Sequence, residues 1–238
     1  MPDQAQATLR SRLVYAYLAV LTLATTLLVR GSQSISTSLD ADSGNYLFTA
    51  ESILNGAGIT APSGEALTIF PPGYPLLLAA IASVGISVAT AATLINLLAI
   101  ASMIPGTYLL ARMSLGGQLI PVISATIFAS SAATIRVFSN AWTEPLFMVL
   151  MLATLVLLVH TTMRNALSWP VAITLGTLIS LATTLRFVGL FMIPVVAVSI
   201  WMATKTKLEI SKIIATTALG LIGFAAVALR NISLGAPL

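Results

Sequence analysis

Apolar blocks 17 to 21 residues long, at 13–29, 91–111, 117–133, 145–162, 169–185, 187–203 and 212–229, govern what this chain can fold into. A helix rises about 1.5 Å per residue and the hydrocarbon core of a bilayer is about 30 Å thick, so blocks of this length suit spanning helices. They are near-continuous and lack the alternation of an outer-membrane barrel strand, which makes the fold class an all-α, polytopic membrane helix bundle. Composition agrees: 58% of the 238 residues are hydrophobic, 8% are charged, and mean hydropathy is +1.01. The whole chain, 1–238, reads as a single transmembrane domain.

Several function classes fall away at once. With no cysteine there are no disulfides and no thiolate metal sites, and the single histidine, His160, cannot build a histidine-rich centre. Metal dependence is otherwise left open. The net charge of +4 is not a nucleic-acid footprint, because the basic residues stand singly at helix ends, where topology signals belong. Neither a Walker loop, nor a dinucleotide fingerprint, nor an inverted repeat is found. The run Leu13–Val29 behind Arg10 and Arg12 is too long for an ordinary signal-peptide core, and Arg30-Gly-Ser-Gln-Ser is a poor cleavage site. An uncleaved first helix is the expectation.

One long polar segment interrupts the pattern. Residues 30–75 form an expected external loop, and Asp40–Pro75 alone holds Asp40, Asp42, Glu51 and Glu65, four of the seven acidic residues. An ionisable group beside a bilayer is costly without a task or a partner, so chemistry is expected here. Within the loop Leu47, Phe48, Ala50, Ile53 and Leu54 can share one face of a surface helix over about 46–55, with Asp42 or Ser43 as its cap and Gly56 as its stop. Pro71-Pro72-Gly73-Tyr74-Pro75 then opens a short apolar run, 74–86.

Thirteen residues reach only about 20 Å, and charge decides whether that run crosses. If it spans, five basic residues lie inside and six outside. If it stays in the outer interface, the inside set is Arg10, Arg12, Arg112, Arg164, Lys205, Lys207 and Lys212, against Arg30, Arg136, Arg186 and Arg230 outside. Seven to four obeys the positive-inside rule; five to six does not. The expectation is therefore seven spanning helices plus one or two interfacial helices, a cytoplasmic N-terminus, and a cell-membrane protein. The 30–70 loop, a turn at 134–144, a turn at 185–189 and Arg230-Asn231 then share the outer face.

Four groups on that face could carry chemistry, and each has a plainer role. Asp42 suits a general base, or an N-cap. Glu144, in Trp142-Thr-Glu-Pro-Leu-Phe, sits in the first turn of a helix with Pro145 near its start, where a carboxylate complements the positive helix end. Arg186 suits phosphate, held bidentately, or snorkels to headgroups; Arg136 and Arg230 fit snorkelling better. His160 reads as interfacial filler, Pro105-Gly106 and Pro194 as kinks, and Asn231-Ile-Ser as a short match to a glycosylation sequon.

Asp42-Ser-Gly-Asn-Tyr46 followed by Ala50, Leu54, Gly56 and Phe70-Pro-Pro-Gly-Tyr-Pro-Leu-Leu-Leu78 resembles the first external loop of GT-C membrane glycosyltransferases. The subgroup that resembles it best is the 39-type, which includes protein O-mannosyltransferases and lipid A aminoarabinose transferases. Ala111–Gly116, Thr143–Phe147, Leu185–Leu190 and Leu229–Pro237 resemble later family turns in the same order. The resemblance implies inverting transfer of a sugar from a polyprenyl-phosphate carrier to a glycan, lipid or protein acceptor outside the cytoplasm. No cofactor is implied beyond the lipid-linked donor. By this resemblance Asp42, four residues before Tyr46, is the base, with Asp40 the lesser candidate; Glu144, Arg186, Tyr46 and Arg136 are the substrate and carrier-phosphate residues. Family members are about twice as long, so the resemblance also implies an N-terminal portion lacking the C-terminal half of the fold, with a second chain as a possible completing partner. A transporter or flippase fragment, or a noncatalytic membrane subunit, are the alternative readings.

Overall fold

The computed structural model describes residues 2–36, 40–164, 167–204 and 207–236. They form ten α-helices and a 3₁₀ turn over Phe187–Phe191. Among the described residues the one β feature is an isolated bridge between Thr60 and Ala66. The helices are α1 (Pro2–Ser36), α2 (Ala41–Leu54), α3 (Gly73–Ala82), α4 (Val88–Leu115), α5 (Leu119–Ser130), α6 (Ala132–Ser139), α7 (Glu144–Arg164), α8 (Trp169–Leu185), α9 (Met192–Thr204) and α10 (Lys207–Ser233).

Local chemistry sets several boundaries. Ser87 caps α4, its Oγ accepting the Thr90 amide at 3.1 Å, and Gly116 and Gly117 end that helix with φ of 70° and 63°. Gly56, with φ of 78°, follows α2 as the expected stop. The start of α2 differs from expectation. It begins at Ala41, with Asp40 rather than Asp42 or Ser43 in the N-cap position, and Asp42 lies in the first turn, where a carboxylate suits the positive end of the helix. Pro105 lies inside α4, as a kink requires, whereas Pro194 occupies the first turn of α9, where a missing N–H leaves no broken bond.

Four segments are long and apolar enough to cross a membrane: Thr8–Gln33, Val88–Leu115, Glu144–Arg164 and Ile210–Ser233. The pair α5 and α6, bent by 56° at Ser131, makes a fifth if counted as one span. Seven full-length spans are therefore not found among the described residues. The block at 117–133 breaks at Ser131, and 134–139 is helix rather than turn. The block at 187–203 divides into the 3₁₀ turn and a 13-residue α9, about 20 Å long, and the 17 residues of α8 reach about 25 Å.

α4 is the centre of the bundle and packs on α7, α5 and α1. Residues Tyr15 to Thr26 of α1 share a groove with Ala101 to Arg112 of α4, and Tyr15 lies close enough to Arg112 to act on its charge, so the two helices run in opposite directions. At one end of the bundle Gln33 donates to the Phe138 carbonyl at 3.3 Å and Asn96 to the Asn140 carbonyl at 2.6 Å. At the other, Gln118 donates to Ser11 at 3.2 Å and Lys212 to the Leu167 carbonyl. The most extensive contact joins α8 to α10, where glycines let the backbones approach: a Cβ on Gly176 would stand 2.6 Å from that of Leu219.

The run after the polar loop is the ten-residue α3, about 15 Å long, half a bilayer core. It packs on α2, α4 and α8. Gly73 seats its N-terminus against α8, where an added Cβ would lie 2.5 Å from the Thr184 carbonyl oxygen. Tyr46, Ala50, Tyr74, Leu78, Ala91 and Leu185 are buried together, so α2 and α3 share a core with the start of α4 and the end of α8.

Candidate functional site

The polar loop is clamped at both sides. Between α2 and α3, Ala61 donates to the Glu65 carbonyl at 2.8 Å and Leu67 to that of Ile59 at 3.0 Å, closing a small hairpin. On the α2 side Thr49 Oγ1 donates to the Thr60 carbonyl at 2.9 Å and Ser52 to that of Gly58 at 3.0 Å. On the other side Arg230 donates to the Leu67 carbonyl at 2.8 Å, and Asn231 Nδ2 to that of Thr68 at 3.1 Å. Arg230 is thus tied to the loop rather than snorkelling, and the buried amide of the Asn231 sequon is already engaged. Nothing in the sequence pattern announced this clamp.

Against this frame stand α2 and the segment leading into α7. Glu144 opens α7, and Arg186 follows α8 in extended backbone. The two meet: Arg186 Nη1 is 2.5 Å from Glu144 Oε1 and donates to Thr143 Oγ1 at 3.0 Å. Nε and Nη2 of Arg186 have no hydrogen-bond partner among the described residues. Thr143 is fully buried; the sequence marks it only as the first residue of the Thr143–Phe147 stretch and assigns it no role.

Asp42, Tyr46 and Arg186 line one cavity of about 190 Å³, together with Phe70, Leu185 and Phe187. Asp42 is exposed and makes no ion pair among the described residues. Tyr46 is buried, with its ring 5.4 Å from that of Phe70 and 5.5 Å from that of Tyr74, so it is as much a wall of the core as a ligand. Burial pushes the Tyr46 phenol up to about 12, Thr143 pulls the other way, Asp42 and Glu144 add to the rise, and Arg186 offsets part of it. The phenol stays protonated and able to donate at neutral pH. Beneath it the Tyr74 hydroxyl is fully buried with no hydrogen-bond partner among the described residues, as is Ser43 Oγ.

Arg136 does not join this group. It is exposed and lines a separate cavity of about 650 Å³ with Ser32, Asp40, Ser139, Asn140 and Trp142. There Trp142 Nε1 donates to Asp40 Oδ2 at 2.5 Å, so Asp40 holds the segment before α7 while Asp42 keeps its carboxylate unengaged. No three His, Asp or Glu side chains converge on a metal position among the described residues. Chemically, the smaller cavity offers an open carboxylate, a protonated phenol and a guanidinium with spare donors. No family model, curated protein or solved structure matches the chain.

Proposed function

We propose that the chain is, or is part of, a membrane glycosyltransferase that moves a sugar from a polyprenyl-phosphate carrier to an acceptor hydroxyl on the extracytoplasmic side, with inversion at the anomeric carbon. The observation that carries the reading is that Asp42 and Arg186 line one cavity at the end of the bundle holding the polar loop. The resemblance of Asp42–Tyr46 and Phe70–Leu78 to the first external loop of GT-C enzymes supports it. In this reading α1, α4, the α5–α6 pair, α7, α8, α9 with its 3₁₀ turn, and α10 make seven crossings, helped by local thinning at the shorter ones. The N-terminus is cytoplasmic, and α2 and α3 lie in the outer interface.

Asp42 accepts the proton of the acceptor hydroxyl as its oxygen bonds to the anomeric carbon and the bond to the carrier phosphate breaks. The negative charge that gathers on the departing phosphate is met by Arg186, whose Nη1 is steadied by Glu144 and Thr143 while Nε and Nη2 keep donors to spare. A donor whose tail remains in lipid suits a cavity at the bundle's end.

The test is sugar transfer from a polyprenyl-phosphate donor to acceptor in membranes carrying the chain, with its partner chain if one co-purifies. Asp42→Asn is expected to lower turnover about 10² to 10⁴-fold, the usual worth of a positioned base, with insertion unchanged. Full turnover in that variant rejects the assignment.

A further inference from the structure

Another cavity lies elsewhere: a groove of about 730 Å³ between α1 and α4, lined by Leu18, Thr22 and Leu23 on one side and Ala101, Pro105 and Leu109 on the other. Its length is set by the helices. From Tyr15 to Thr26 on α1, and from Ala101 to Arg112 on α4, eleven residue rises span about 16 Å, the depth of one leaflet of a roughly 30 Å hydrocarbon core.

The groove is apolar along its length and cationic at one end. There Arg112 donates through Nη1 to the Tyr108 hydroxyl at 2.6 Å, and its guanidinium carbon stands 5.9 Å from the centre of that ring. Tyr108 is buried, so it fixes the guanidinium in place. No carboxylate pairs with Arg112 among the described residues, and its other N–H donors have no protein partner there. Tyr15 adds a second phenol at the same end.

We infer that this groove seats one acyl chain of an anionic phospholipid, with the lipid phosphate on Arg112. A channel one leaflet deep, ending in an oriented guanidinium that no carboxylate pairs among the described residues, matches a lipid in both length and charge. The site is at the opposite end of the bundle from Asp42, and it stands whether or not the chain transfers sugar.

Native mass spectrometry of the full chain released from vesicles of equal phosphatidylglycerol and phosphatidylcholine tests it. One phosphatidylglycerol is expected to remain bound, preferred at least tenfold over phosphatidylcholine. Arg112→Gln is expected to cut that retention about tenfold and Arg112→Lys to cut it less. Ala19→Phe, at an exposed position lining the groove, fills the channel and is expected to release the lipid with Arg112 intact. Arg164→Gln, an exposed arginine outside the groove, is expected to change nothing. Wild-type retention in Arg112→Gln or in Ala19→Phe, or an equal loss in Arg164→Gln, overturns the inference. So does a disulfide joining two copies through Thr22→Cys, which would show a second copy of the chain in the groove.

Discussion

Arg186 and Glu144 form an ion pair at 2.5 Å across the mouths of two helices, with Thr143 sharing the same guanidinium nitrogen. The side chains are 37% and 34% exposed, so solvent screening leaves the pair worth under about 1 kcal/mol of stability. Arg186→Gln is therefore expected to melt within a few degrees of wild type. Sugar transfer in the same variant is expected to fall about 10² to 10³-fold, the loss typical of a group that meets transition-state charge. Glu144→Gln, which keeps a hydrogen-bond acceptor for Nη1, is expected to lose much less. Thermal melts and turnover on the same preparations separate the two effects.

Two carboxylates two residues apart do different work. Asp40 accepts the Trp142 indole N–H and Asp42 lines the cavity with Arg186. Asp40→Asn weakens a charge-assisted hydrogen bond, so it is expected to cost about 1 kcal/mol and to shift Trp142 fluorescence. The Asp42 variant is expected to do neither. Near-identical melts and spectra for both would contradict the division of roles.

Much of this was legible because it rests on local rules. Hydropathy gave helices, Gly56 gave the end of α2, and the short apolar run at 74–86 is matched by a helix of only ten residues. What escaped depended on distant partners. Nothing local marks Asp40 rather than Asp42 or Ser43 as the residue before α2, and the partner of its side chain, Trp142, is about a hundred residues on. Arg230 read as a snorkelling residue because its acceptors are backbone carbonyls at Ile59 and Leu67, which no side-chain pattern reveals. The break at Ser131 sits between two apolar stretches that hydropathy joins into one. Arg136 was grouped with Arg186 by face alone, whereas Asn140 and Trp142 line the Arg136 cavity and Thr143 meets Arg186.

The α8–α10 seam makes a packing prediction. A Cβ on Gly223 would overlap the Ser180 carbonyl oxygen, a backbone atom that cannot swing aside, and would press on Thr183 Oγ1. Gly223→Ala is expected to cost about 1 to 3 kcal/mol through overpacking. Gly31, in α1 with nothing within 4 Å of where a Cβ would stand, provides the control: Gly31→Ala is expected to be neutral or slightly stabilising. Thermal melts in detergent decide it.

Alkaline pH probes the core under α2. The Tyr46 phenol titrates near 10.0 in an unfolded chain and about 12 in the fold, so the fold binds that proton more tightly. The corresponding stability is fully present below pH 10 and is lost as pH rises through 12, about 3 kcal/mol in all. Tyr74 is shifted in the same direction, chiefly by burial. Wild-type stability is expected to fall between pH 10 and 12, and Tyr46→Phe to show a shallower fall. A pH profile unchanged by that substitution would remove Tyr46 from the account.

Membrane orientation is open to direct measurement because the chain has no native cysteine to remove. Asp42 and Glu144 belong to the end of the bundle that holds the polar loop, while Arg112 and Arg164 stand at the far ends of α4 and α7, two helices that pack on each other. α4 and α7 run in the same direction: Asn96 meets Asn140, and Gly106 lies against Leu152. A single cysteine at 42 or 144 is expected to react with a membrane-impermeant maleimide added to intact cells, and one at 112 or 164 only after permeabilisation. If 112 and 164 were labelled from outside, the basic ends of both helices would face away from the cytoplasm, against the charge balance. If 42 and 144 reacted from opposite sides, α3 would have to cross a bilayer about twice its length, and Asp42 could not share a cavity with Arg186.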